Sequence, residues 1–151
     1  MRGYLRGFPR GFSMVYREIL RAISILEGLV ERGDEILVDE LLQGTLLWYL
    51  YVTVQGSIDL ALKVISELRL DPPESYAEAF DILFSHGLIS SGVRGKLTGM
   101  VKFRHILAHV YPRIQIREIM GRLKSDLEDV KQYLRELAEN IKKFHREIEE
   151  F

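Results

Sequence analysis

Leu123, Leu127, Val130, Leu134, Leu137, Ile141, Phe144 and Ile148 recur at intervals of three and four along an otherwise highly charged segment. That spacing follows the 3.6-residue turn of an α-helix and puts these side chains on one narrow stripe. A helix carrying it from about Ile116 to Glu149 is roughly 50 Å long at 1.5 Å per residue. Such a helix outruns a small bundle, so its end is expected to project or to pack on a second subunit.

The rest of the chain reads the same way. Ser13 is the expected N-cap of a first helix. Its Val15, Ile19, Ala22, Ile23, Leu26, Leu29 and Val30 hold helical spacing, and Gly33 is its stop. A second helix is expected from near Asp39 to about Leu68, with Leu42, Leu46, Tyr49, Leu50, Val54, Ile58, Leu62 and Ile65 facing inward. Its wide apolar stripe predicts the central helix of the domain. Trp48, Tyr49 and Tyr51 are read as core or dimer interface. Asp71-Pro72-Pro73 ends that helix. Ser75, with Glu78 three residues on, forms a capping box for a short helix with Ala79, Leu83 and Phe84 on its core side. His86-Gly87 closes it. A fourth helix is expected from about Val93 to Tyr111, stopped by Pro112. No segment alternates with period two, so the predicted fold class is all-α, an antiparallel bundle of four to five helices.

With 151 residues, 47% hydrophobic and 28% charged, the chain suits one globular domain over residues 1–151. Residues 1–12 read as a flexible N-terminal arm, carrying Arg2, Arg6 and Arg10 among glycines and aromatics. The arm has no apolar run or small-residue cleavage site, so it does not read as a secretory signal, and its glycines and proline oppose a transit helix. The apolar run from Leu41 to Val54 meets Gln55 and Asp59 before reaching the roughly 20 residues of a membrane span. There is no cysteine, which excludes a disulfide framework, a thiolate metal site and a cysteine nucleophile, and fits a cytoplasmic location.

The formal net charge of −1 excludes a polybasic chain, but the charge is uneven. From Ser90 to Arg117 there are six basic residues (Arg94, Lys96, Lys102, Arg104, Arg113 and Arg117) and no acidic one. From Ser125 to Phe151 there are eight acidic and five basic residues. Scatter over solvated faces is one reading of the positive stretch; an anion site for phosphate is the other.

Within that stretch, Arg104, His105, His109 and Tyr111 fall inside eight residues next to the expected helix stop. Metal-free RNA cleavage activates a ribose 2′-OH against the adjacent phosphate. It needs a proton acceptor and donor near neutrality, which histidine supplies, and a permanent cation against the developing phosphorane charge, which arginine supplies. Tyr111 can bond a phosphate or stack on a base. At 100° per residue, Arg104 and Tyr111 lie on nearly one face, but Arg104 and His109 lie about 140° apart. They converge if the last turn loosens or if two copies of the helix face each other.

Arg104-x4-His109-x-Tyr111 resembles the signature of HEPN ribonuclease toxins of the HepT type. The resemblance runs over roughly residues 14–145. It includes the apolar second helix with Asp59, the stretch Pro72-Pro73-Glu74-Ser75-Tyr76-Ala77-Glu78-Ala79-Phe80, Gly87-Leu88-Ile89, and Met100-Val101-Lys102-Phe103-Arg104. It implies a HEPN-like homodimer with the motif at or near the dimer cleft. It also implies a metal-independent endoribonuclease toxin of a type II- or VII-like toxin–antitoxin pair, acting on tRNA or mRNA. A minimal nucleotidyltransferase antitoxin would neutralise it by transferring AMP to Tyr111. Arg104 and His109 are then the catalytic pair, Tyr111 the RNA contact or AMP acceptor, and Asp59, His105 and Lys102 supporting residues. The family commonly has Asn after the Arg; here His105 stands there. No metal or cofactor is expected, although His105 and His109 share a face as in a two-histidine metal site.

Each of these residues also has a plainer reading. Arg104 could pair with a carboxylate of the fifth helix, His109 could be a core or surface histidine, and Tyr111 could pack before Pro112. Gln55 and Asp59 are either a solvent-facing edge or, for Asp59, a group that orients Arg104 or His109. The alternative function is a non-catalytic helical module that binds a nucleotidyltransferase partner.

Overall fold

A computed structural model describes residues 8, 11–109 and 115–149, with the side chains of 109 and 145–149 left aside. Five α-helices carry these residues: α1 (Phe12–Arg32), α2 (Glu40–Glu67), α3 (Tyr76–Ser85), α4 (Ser91–His109) and α5 (Ile116–Glu149). No strand occurs among the described residues. The predicted antiparallel bundle is what forms. No helix among them is long and apolar enough to cross a membrane.

The helix ends follow the capping chemistry with some corrections. Asp39 caps α2, its Oδ1 accepting from the N–H groups of Leu41 (2.9 Å) and Leu42 (3.2 Å). Ser75 caps α3 by accepting from the Glu78 N–H at 3.1 Å, while Glu78 reaches back one residue beyond the cap, to the Glu74 N–H. Gly87, in the left-handed region at φ 72°, closes α3, and the Leu88 N–H returns to the Leu83 carbonyl at 2.9 Å. Ser13 is not the cap of α1. The helix begins at Phe12 after a left-handed Gly11, because the fully buried Phe12 stacks on Phe8 at 4.8 Å and draws the chain inward two residues early. Phe12 therefore belongs to the core rather than to an arm; residues 1–7, 9 and 10 of that arm lie outside the described residues. α4 begins at Ser91 rather than Val93, since Ser90 Oγ already accepts from the Val93 N–H. The expected stop at Tyr111-Pro112 lies outside the described residues. A short 3-10 helix, Gly33–Val38, went unforeseen. Its Ile36 is buried, and Gln43 donates to the carbonyls of Ile36 and Leu37 to hold it against α2.

α2 is the central helix, packed against α1, α3 and α4. Its buried positions include Thr53 and Ser57, whose hydroxyls bond the carbonyls four residues back at 2.8 Å and so need no outside partner. α5 packs on α1 and α4, and buries the expected stripe from Leu123 to Ile141 together with Tyr133; Phe144 is half-buried, and the side chain of Ile148 lies outside the described residues. The fully buried Tyr133 hydroxyl donates to the Ser57 carbonyl at 2.9 Å, and burial pushes the phenol well above its ordinary pKa. The α3–α4 connection is tied to α5 as well. Glu136 accepts from the N–H and hydroxyl of Ser90, and Asn140 donates to the Leu88 carbonyl. Burial works against the Glu136 carboxylate, but these bonds and one from Gln132 outweigh it and hold its pKa below the usual range.

One aromatic assignment narrows and another changes. Trp48 is 59% exposed, so of its two expected places, core or dimer interface, the core is excluded; it stacks near Tyr51. Phe84 is 38% exposed instead of facing the core, because Ala79, Phe80 and Leu83 fill the inner side of α3 and the Arg94 guanidinium covers its ring at 4.6 Å.

The α1–α2 contact sets a sharp steric limit. A Cβ on Gly56 would stand 2.8 Å from Cγ1 of the fully buried Ile19. Alanine gains about 1 kcal/mol in helix propensity. The branched Ile19 has little room to retreat, however, and overpacking costs about 1–3 kcal/mol. Gly56→Ala is therefore expected to be destabilised in urea titration; a variant more stable than the parent would contradict this packing.

Candidate functional site

The site is assembled where α2, α3 and α4 meet. Arg104, half-buried on α4, donates from Nε to Oε1 of Gln55 on α2 at 2.8 Å. Gln55 in turn donates from Nε2 to Oδ1 of Asp59, one helical turn on, at 2.9 Å. The Arg104 guanidinium carbon lies 5.5 Å from the ring centre of Tyr76, the first residue of α3. Its terminal Nη groups make no hydrogen bond among the described residues. The expected alternative, an ion pair with a carboxylate of α5, does not form among the described residues.

Local sequence explains each placement. The i,i+4 spacing of Gln55 and Asp59 puts amide and carboxylate on one face of α2. Ser75, by capping α3, starts that helix at the residue whose ring meets Arg104. Among the described residues Asp59 is linked to Arg104 through Gln55, so an orienting role toward Arg104 requires an intermediary; the side chain of His109, the other expected target of Asp59, lies outside the described residues. Gln55 was visible only as a polar break in an apolar helix. Tyr76 lay within the quoted family-like stretch without a role, and only the phase of the Ser75 cap could have pointed to it.

The positive stretch divides in two. Lys96 pairs with Asp129 at 2.9 Å and Arg94 with Asp81 at 3.7 Å, so both are committed to structure. Arg104 has a neutral amide as its hydrogen-bond partner and keeps its full charge toward a ligand. Lys102 and His105 are exposed on α4. α4 is helical through His109, which keeps positions 104 and 109 about 140° apart around its axis. The side chain of His109 and the whole of Tyr111 lie outside the described residues. A groove of about 810 Å³ between α4 and α5 is lined by Gly99, Phe103, Ile106, Ile119 and Leu123 among others. Neither Arg104 nor its three neighbours line it, so we place the candidate chemistry at the α2–α3–α4 junction.

Comparison with known proteins agrees with this frame. The family described as HepT-like, Ribonuclease HepT-like, matches residues 19–137. The mRNA nuclease HepT of Shewanella oneidensis is 25% identical over 116 residues, covering 77% of this chain and 87% of that protein. Among solved structures, the tri-AMPylated Shewanella oneidensis HEPN toxin in complex with MNT antitoxin superposes with a TM-score of 0.78 at 23% identity, covering 85% of this chain and 96% of that one. A cytosolic protein of unknown function, YutE from Bacillus subtilis, has the same fold, with a TM-score of 0.67 at 15% identity over 84% of this chain and 90% of its own.

Proposed function

The chain belongs to the HepT-like ribonuclease family, and on that footing we propose that it is a metal-independent endoribonuclease toxin of the cytoplasm, paired with a nucleotidyltransferase antitoxin. The observation that carries the reading is Arg104, anchored through Nε on a neutral amide with its terminal amines unbonded among the described residues. A guanidinium held that way presents its bidentate end to a phosphate.

In the proposed reaction, His109 takes the proton of a ribose 2′-OH or donates one to the departing 5′ oxygen. Arg104 stabilises the charge that gathers on the phosphorane. Neither step calls on a metal, because the arginine supplies the fixed cation. The 140° between positions 104 and 109 on a regular helix supports a homodimer in which facing α4 helices bring the two residues together. Lys102 adds positive charge along the path of the RNA, and His105 offers a hydrogen-bonding group beside it. Tyr111 contacts the RNA or accepts AMP. The Shewanella oneidensis toxin is tri-AMPylated in complex with its MNT antitoxin, which supports control of the same kind here.

Purified, AMP-free protein is expected to cleave tRNA or mRNA in EDTA, and Arg104→Ala and His109→Ala are each expected to abolish cleavage. Val38, Leu41 and Trp48, 86%, 84% and 59% exposed, favour a second reading in which the chain is a binding module. A tight complex with a nucleotidyltransferase that survives His109→Ala, from a wild-type dimer inert on every RNA class, would decide for that module.

A further inference from the structure

We propose that Gln55 is the positioning residue of this site, with Asp59 fixing the sense of its amide so that Arg104 is held with both terminal amines turned toward a phosphodiester. The choice of substrate rests on the ribonuclease reading, and everything else on the α2–α4 geometry.

An arginine has one Nε donor and four terminal ones. Gln55 Oε1 takes the Nε donor at 2.8 Å, which leaves the fork of Nη groups as the edge open to two phosphate oxygens. A glutamine amide has two ends, and only the oxygen can face a cation. Asp59, when ionised, only accepts hydrogen bonds. By accepting from Gln55 Nε2 at 2.9 Å it forces the amide nitrogen toward itself and the oxygen toward Arg104. A carboxylate placed directly on Arg104 would also hold it, but it would compete with the phosphate for the same charge. The intervening amide transmits orientation without that competition.

Two further contacts steady the arrangement. The Tyr76 ring lies against the guanidinium at 5.5 Å and restricts its tilt. The turn of α2 that carries Gln55 and Asp59 is pinned from α5 by the Tyr133 hydroxyl on the Ser57 carbonyl. An i,i+4 Gln–Asp pair that merely supported its own helix would not need an arginine from another helix on its amide oxygen.

The donor order can be reversed without changing the charge. In Gln55→Glu, two carboxylates face each other. In Asp59→Asn, the Gln55 amide is free to turn its N–H toward Arg104. When both exchanges are combined, the new carboxylate at position 55 accepts from both Arg104 and the new amide at position 59, so an acceptor again faces Arg104. Each single variant is expected to lower kcat for RNA cleavage by about 10-fold or more with little change in KM, as a misplaced group does. The double variant is expected to hold Arg104 in place but to recover only part of the rate, because its carboxylate competes with the phosphate.

The same four proteins are compared by NMR with isotope-labelled arginine. The Arg104 Nε–H signal should be protected from solvent exchange in the wild type and the double variant, and exposed in Asp59→Asn. In a His109→Ala background, binding of a short single-stranded RNA should differ little between the wild type and Asp59→Asn, in line with KM. A double variant whose Arg104 signal is as exposed as in Asp59→Asn, or an Arg104 signal indifferent to Asp59, would overturn the proposal. A wild type that cleaves no RNA would defeat the ribonuclease reading alone, because the NMR measurement still decides whether Gln55 positions Arg104.

Discussion

Arg104→Lys should lower kcat/KM for RNA cleavage by about 10²-fold or more, with the folded protein intact. Lysine keeps the charge, so a site that needed only a cation would tolerate it. Here the arginine is used at two ends. Its Nε is bonded to Gln55 while its terminal amines make no hydrogen bond among the described residues, and an ammonium cannot serve both at once. Lysine also lacks the planar group that lies against Tyr76. The loss should therefore exceed what removal of a surface charge would cause. The thermal midpoint should barely move, because Arg104 is only half-buried and pairs with a neutral group. Paired measurements of kinetics and melting check this, and a fully active lysine variant would show that position 104 supplies charge alone.

The second large effect is on stability. Tyr133→Ala should destabilise the protein by about 3–5 kcal/mol, the range for emptying a large buried aromatic site. Tyr133 is fully buried, touches Phe80 edge-on with ring centres 5.8 Å apart, and ties α5 to α2 through its hydroxyl. Tyr133→Phe keeps the ring and removes only the hydrogen bond, for a loss of about 1 kcal/mol. Urea titration separates the two values. A phenylalanine variant as damaged as the alanine one would mean that the hydroxyl, rather than the packing, anchors α5. Because the bond falls on the turn between Gln55 and Asp59, the phenylalanine variant also reports how far the site depends on that anchor.

Much of the fold was legible because its helices are amphipathic with strong punctuation. Asp39, Ser75 and Gly87 act where capping chemistry predicts, and the stripe from Leu123 to Ile141 is buried as spaced. The misses arise where tertiary packing overrides a local signal. Ser13 is a good cap by type, yet burial of Phe12 starts the helix earlier. Phe84 is apolar, yet lies on the outer side of a helix whose inner side is already filled. The proposed motif residues stand out by spacing, because chemistry restricts which side chains could do the proposed work. The residues that hold Arg104 do not. Gln55 is 49 positions away, and only the α2–α4 packing makes its amide a neighbour of Arg104.

The most direct test of the central claim is the chemistry of the RNA ends. Bulk tRNA would be digested in EDTA with protein shown by intact mass to carry no AMP on Tyr111, and His109→Ala would be run in parallel. Attack by the 2′-OH, with His109 moving the protons and Arg104 facing the phosphorane, leaves a 5′-hydroxyl and a 2′,3′-cyclic phosphate, and the account predicts these ends from the wild type and none from the variant. Fragments ending in 5′-phosphate, or cleavage that persists in His109→Ala, would contradict it.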